Sequence, residues 1–283
     1  MNWFFLALGS ILLFSSSNLL QRILSVKSKN ARAMSALFNA TAAVMALLIS
    51  LFSGSLRDFV LPDESKAWIA LAVASLVYGI AERVRFSASK LLEASIMTTV
   101  ANISVVVAFI ISLFLYSEPL TISKLIGSVL IFIALFLVSS KHKNKEVSKK
   151  GLLLAILMNF MYGLGWSLDK MGATYFSPNI YNIFIWFIPI IFIYLPYLSF
   201  KDIKIEFKLA GWKIFVLSTL NVIGYLMQLK ALAMVEATKV IPIFQLSTIV
   251  TIISAIFLLK EKKNILLKIS AGLIAITGVY FLI

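Results

Sequence analysis

The chain has 283 residues and no cysteine. Disulfides, thiolate metal sites and cysteine nucleophiles are therefore excluded. It has one histidine, His142, inside the polar stretch "SSKHKNKEVSKK". A histidine metal cluster within one chain is excluded with it. Acids are scarce, 12 against 26 lysines and arginines, and charged residues of both signs are 13% of the chain. A soluble domain carries about a quarter. Long polar regions are missing too. The two longest, 139–150 and "SFKDIKIEFKLAGWK" at 199–213, leave no room for a soluble domain. Neither H-E-x-x-H nor G-x-S-x-G occurs, which argues against an intramembrane enzyme.

What the chain does have is apolar surface. Hydrophobic residues make up 61% of it, and its mean hydropathy is +0.99. That composition belongs in a bilayer. In a soluble protein the basic excess would suggest nucleic acid. Here the basic residues cluster between apolar blocks, so membrane orientation explains them and no nucleic-acid partner is expected. A spanning helix needs about 20 mostly apolar residues. Ten blocks meet this, at 2–24, 33–53, 66–84, 93–116, 123–140, 151–169, 178–198, 212–230, 238–259 and 265–282. The first lacks a basic leader and an A-x-A-like end, so it is expected to stay as a helix. The expected fold is an all-α integral membrane protein with ten transmembrane helices. Links after spans 1, 3, 5, 7 and 9 hold 20 of the 26 lysines and arginines. Those links are expected in the cytoplasm, with both termini outside the cytoplasmic membrane.

The chain also repeats itself. At an offset of 143, residues 93–118 match 236–261 at eight of 26 positions, where composition alone gives about three. Phe114, Leu115 and Glu118 recur as Phe257, Leu258 and Glu261. A weaker echo at offset 148 sets "QR" at 21–22 against "DK" at 169–170, and Gly127 meets Gly272 after a two-residue insertion. Each half holds five spans, an odd number, so the second copy must enter the membrane upside down. That explains why Lys260, Lys262 and Lys263 stand where the first copy has Ser117, Pro119 and Leu120. The halves are expected at 1–142 and 149–283, as inverted-topology repeats with a site near the midplane between them.

Two stretches, 91–138 and 234–283, each carry a helix ending in Glu, a polar turn and a Gly-containing last helix: Glu118 to Gly127, and Glu261 to Gly272. These resemble the twin EamA domains of the drug/metabolite transporter superfamily. The resemblance covers nearly the whole chain in length, span count and doubling. The second half also shows the proline near the start of span 9, Pro242, where the first half has Thr99. The resemblance implies export or exchange of small metabolites, amino acids among them.

Polar side chains within apolar helices are costly and face the bundle interior. Asn102 and Gln245 occupy equivalent positions in spans 4 and 9, each about ten residues into its helix. They read either as a pair of amides for a polar substrate or as interhelical bonds that hold the bundle. Asn159, Tyr162 and Trp166 fall on one face of span 6, a cavity wall or a packing face. Tyr78 and Asn221 stand 143 apart on spans 3 and 8 and read as a second symmetric pair. Tyr225 lies one turn from Asn221, and Asn18 and Gln21 sit on span 1. These ten are the candidate substrate-binding residues. Asn182 and Trp186 of span 7 read as bundle or interface residues. No metal or cofactor is expected. Glu82 and Asp169, each with a basic neighbour, read as solvated near helix ends. With no acid placed deep, the expectation is exchange or movement down a gradient. Pro242 reads as a first-turn proline. The expected function is secondary transport of a small polar or amphipathic, amino-acid-like metabolite by alternating access. The partners are the substrate and the bilayer, and the protein is a monomer or a dimer. A flippase for a lipid or lipid-linked substrate is the alternative.

Overall fold

The computed structural model describes residues 2–57, 60–92, 94–139, 148–244, 246–247, 249–250 and 265–282. All its regular structure there is helical: α1 (Trp3–Lys27), α2 (Ala31–Phe52), α3 (Ser65–Leu91), α4 (Ala94–Leu115), α5 (Ile122–Ser139), α6 (Lys149–Tyr175), α7 (Pro178–Phe187), α8 (Pro189–Tyr194), α9 (Phe200–Ala210), α10 (Lys213–Leu232), α11 (Ala237–Phe244) and α12 (Ile265–Leu282). Helices are what a lipid-facing backbone requires, because each satisfies its own amides and carbonyls. Short polar residues start them. The Asn30 side chain accepts the Ala33 amide at 3.1 Å, and Ser148 Oγ accepts that of Gly151 at 3.1 Å. Among the described residues five helices are long and apolar enough to cross a membrane: α1, α2, α3, α6 and α10.

Four of the expected spans differ from the helices found. The third was expected to end at 84 and the sixth at 169. α3 continues to Leu91 and α6 to Tyr175. Charge does not stop a helix when its carriers find partners inside the bundle. The seventh is split into α7 and α8 at Pro189, which has no amide to give the preceding turn. The eighth begins at Lys213, and the expected link 199–213 before it contains α9. There Glu206 turns inward and accepts the amides of Lys29 and Asn30 at 2.8 and 2.6 Å. In α11, Pro242 is the sixth residue and lies within the helix. The first-turn reading of it is corrected. Most of the expected ninth span beyond Phe244 lies outside the described residues.

The closest helix pairs join the two halves of the chain. α3 packs on α6, α4 on α6, α1 on α10, and α5 on α12. α3 and α6 run antiparallel, with Tyr78 against Gly165 and Leu91 against Gly151. α1 and α10 do the same, with Gly9 against Met227 and Leu13 against Gly224. α5 and α12 are also antiparallel. Gly127 meets Gly278, and Ser123 Oγ donates to the Phe281 carbonyl at 2.6 Å. One buried cluster gathers Phe38, Tyr78, Phe86, Tyr181, Trp186 and Tyr225; another gathers Leu6, Ile131, Leu135, Val240 and Ile243. Each mixes residues of both halves, so the core between them is shared.

Candidate functional site

Asp169 of α6 is fully buried, at 0% exposure. Three tyrosines from three helices surround its carboxylate. Tyr78 of α3 donates to Oδ2 at 2.7 Å. Tyr225 of α10 and Tyr181 of α7 donate to Oδ1 at 2.7 and 3.2 Å. Glycines make the space. A Cβ at Gly165 would lie 2.6 Å from the Tyr78 ring, and one at Gly172 would lie 2.1 Å from that of Tyr181. Tyr78 and Tyr225 meet edge to face, centroids 6.3 Å apart, and Trp186 packs edge-on against Tyr225. Lys170, the next residue, turns away to Glu118 at 2.9 Å.

One turn along α3 a second polar cluster begins. Glu82 and Arg85 are paired at 2.8 Å with exposures of 4% and 8%. Glu82 also accepts Tyr162 Oη at 2.6 Å and Asn39 Nδ2 at 3.2 Å. Arg85 donates through Nε to Gln21 Oε1 at 2.9 Å, through Nη2 to the same oxygen, and to Asn221 Oδ1 at 3.3 Å. Its guanidinium lies 4.6 Å from the Phe38 ring centroid. A buried ion pair is tolerated only when its remaining donors and acceptors are met, and these are.

The two clusters occupy related positions in the sequence. At the 143 offset Tyr78 corresponds to Asn221 and Glu82 to Tyr225. At the 148 offset Gln21 corresponds to Asp169. Asp169 binds Tyr78 and Tyr225. Its counterpart Gln21 binds Arg85, which holds Glu82 and Asn221. Both polar tiers therefore form where α3 and α10 face each other.

At one end Glu118, just beyond α4, closes the start of α11. Its Oε1 accepts Lys170 Nζ at 2.9 Å and the Ala237 amide at 2.8 Å. Its Oε2 accepts the Thr238 amide at 3.0 Å and hydroxyl at 2.5 Å. A carboxylate suits the positive end of a helix. Beside it Glu236 pairs with Lys124 at 3.0 Å.

Of the expected site residues, the structure brings Tyr78 and Tyr225 onto Asp169, Gln21 and Asn221 onto Arg85, and Tyr162 onto Glu82. Trp166 stacks on Tyr162, centroids 6.2 Å apart and planes 19° apart. Both stay partly exposed, as does Gln21. Asn159 returns its amide to the Ala155 carbonyl of its own helix at 2.8 Å. Asn18 is exposed on α1. Asn102 is partly buried, and its Oδ1 has no hydrogen-bond partner among the described residues. Gln245 lies outside the described residues, and so does its pairing with Asn102. Asn182 is buried and accepts Trp186 Nε1 at 2.9 Å. The solvated reading of Glu82 and Asp169 is overturned. Lys170, next to Asp169, points about 100° away around the helix, and Arg85, three residues from Glu82, pairs with it inside the bundle rather than in solvent. Asn39, Arg85 and Tyr181 were not among the expected residues. Arg85 stands three residues from Glu82, a helical spacing that could have marked that pair, but its partner Gln21 lies 64 residues away, and those of Asn39 and Tyr181 lie 43 and 12 away, where no local pattern marks them. Among the described residues no three acids or histidines lie together to hold a metal.

The sequence profile of the EamA-like transporter family matches residues 1–140 and again 149–283. No curated protein matches the chain. One crystal structure, described only as that of a protein, aligns over 98% of this chain and 94% of its own. Its TM-score is 0.70 at 13% identity, a likeness of fold alone. The apolar helices and the doubled match make this a multi-pass membrane protein. It is a member of the EamA-like transporter family.

Proposed function

We propose that the protein is a secondary transporter moving a small polar or amphipathic metabolite, amino-acid-like in size, across the cytoplasmic membrane by alternating access. The direction is export or exchange. The architecture we propose is ten spans in two inverted five-span repeats, 1–142 and 149–283, with both termini outside. It acts as a monomer and needs no cofactor. Antiparallel packing of the corresponding helices α5 and α12 supports inversion. So does the exchange of contacts, since swapping the halves turns the α3–α6 pair into α10–α1. Both pairs are close and antiparallel.

One observation carries the reading. Two polar tiers lie between the halves, at repeat-related positions of α3 and α10, inside an otherwise apolar bundle. Polar groups buried at such depth mark substrate and ion pathways, and inverted repeats place their sites at the interface between halves. Gln21, Tyr162 and Trp166 keep exposed surface beside the Glu82–Arg85 pair. They offer an amide, a phenol and an aromatic face, which suits a solute with polar and apolar ends. We also propose Asn102, Asn159 and Gln245 as substrate-binding residues.

Counterflow in proteoliposomes loaded with a labelled amino-acid mixture tests this. The wild type should show it. Trp166→Ala and Gln21→Ala should each raise the half-saturating concentration about tenfold, one lost contact of about 1.4 kcal/mol. A well-folded wild type that exchanges no solute in the mixture, while moving labelled lipid, would replace the reading with a flippase.

A further inference from the structure

We propose that Asp169 and its three tyrosines form a proton-binding site to which transport is coupled. The proposal concerns the same chain but a site distinct from the proposed substrate wall, and it rests on the reading as a transporter only for the coupling. Among the described residues no salt bridge reaches Asp169, although it is fully buried. The other deeply buried acids are answered differently. Glu82 has Arg85, and Glu206 has two backbone amides. An acid inside a membrane protein without a fixed cation is costly in its charged form. It has to bind a cation or accept strong hydrogen bonds.

The surroundings select the cation. The tyrosine rings already fill the space a side chain would take at Gly165 and Gly172, with contacts at 2.6 and 2.1 Å. All three hydroxyls aim their protons at the carboxylate. A metal ion would need five or six oxygen atoms turned towards it and room for its radius. A proton needs neither.

The cage also serves both states. The anion accepts three hydrogen bonds, two on Oδ1 and one on Oδ2. A proton taken up from solvent adds to Oδ1, forming an O–H bond. That group then donates to Tyr181 or Tyr225, whose hydroxyl turns to accept, since a phenol does both. Release reverses the step, and the carboxyl keeps hydrogen bonds in both states. The other groups around the site are occupied. On α3, Glu82 is held by Arg85 and Tyr162. From the link after α4, Tyr116 donates to the Ser167 carbonyl and accepts the Met171 amide, while Glu118 holds Lys170. On α11, Lys239 faces Glu236 at 3.4 Å. Because the tyrosines come from α3, α7 and α10, gain of the proton changes what ties these three helices to α6. That is the link between proton and conformation.

The site can be read without knowing the substrate. Infrared spectra of the purified full chain, titrated over about pH 4 to 10 in sodium-free buffer, should show one buried carboxylic C=O band that appears and disappears reversibly. Asp169→Asn should abolish it while keeping a monodisperse protein. Tyr225→Phe removes one donor to the anion, so the band should persist to higher pH by about one unit or more. A band unaffected by Asp169→Asn, or none at all, would make the cage a structural element. Suppression of the band by added sodium would give the site to a metal cation. Counterflow of a labelled amino-acid mixture then tests coupling. It should depend on pH in the wild type and lose that dependence in Asp169→Asn. Counterflow indifferent to pH in the wild type would overturn the coupling and leave the transporter reading standing. If no solute exchanges, the transporter reading fails and the infrared band still decides the proton site.

Discussion

Glu118 holds Thr238 at two points, through its amide at 3.0 Å and its hydroxyl at 2.5 Å. One residue belongs to the link after α4 and the other to the first turn of α11, so this clasp joins the two halves of the chain. Lys170 adds the charge of α6 to it. Removing the carboxylate strands the Lys170 ammonium and frees two amides of the α11 start. Glu118→Ala should lower stability in detergent by about 2–3 kcal/mol. A chemical-denaturation midpoint compared with the wild type reads the loss. If the proposed alternating access holds, the same variant should favour the state open at this end, read as faster thiol labelling of a cysteine introduced at Tyr116.

The clasp also has a pH signature. Burial alone would raise the Glu118 carboxyl. The hydrogen bonds from Lys170, from the Thr238 hydroxyl and amide and from the Ala237 amide outweigh burial and hold it below the ordinary range. A carboxyl depressed by folding stabilises the fold above its unfolded value, about 4.3. That stability is lost as pH falls through the lower folded value. The stability gap between wild type and Glu118→Gln should therefore be constant above about pH 5 and shrink below about pH 4. A gap that grows on acidification would show the sign to be wrong.

Glu82 and Arg85 make a different kind of pair. Both are buried, and every arm of Arg85 is engaged by Glu82, Gln21 or Asn221. Glu82→Gln leaves a buried guanidinium without its counter-charge and should cost about 3–5 kcal/mol. Arg85→Met strands Glu82 and should cost as much. The double variant carries no buried charge, so it should lose clearly less than the sum of the singles. A double-mutant cycle on unfolding free energy measures this. Strict additivity would mean the two charges are solvated after all.

Sequence carried the helical architecture far and the polar clusters only partly. Apolar runs of about 20 residues locate α1, α2 and α12 well, because nothing but a spanning helix uses such a run. The same logic ended α3 and α6 too early. It stops a span where charges gather, whereas Arg85, Lys90 and Lys170 continue the helices and are satisfied by residues from elsewhere. Tyr78 and Tyr225 were legible because a hydroxyl in an apolar helix is conspicuous. Tyr181 was not, since it sits two residues after Asn179 near a helix start, where polar residues are ordinary. α9 was hidden because three lysines and two acids in 199–210 read as a loop. Its amphipathic face shows only once Glu206 is seen turned inward. The repeat offsets hinted at the relation between Gln21 and Asp169, but a sequence echo gives no distance.

Gly172 is the residue on which the Asp169 cage depends most closely. Tyr181 lies across it so tightly that a Cβ would sit 2.1 Å from the ring. Neither partner can yield easily, because the glycine is held in the last turn of α6 and the tyrosine is fully buried. Gly172→Ala should destabilise the protein by about 1–3 kcal/mol or more, the range for forcing extra volume into a filled core. This runs against the gain of about 0.5–1 kcal/mol that alanine brings to a helix elsewhere. Tyr181→Leu removes both the obstructing ring and one donor to Asp169. Alone it should also destabilise. Combined with Gly172→Ala it should cost less than the two separately, because the clash is then gone. The unfolding free energies of the four proteins give the coupling directly, and a coupling of zero would mean the ring moves aside without strain.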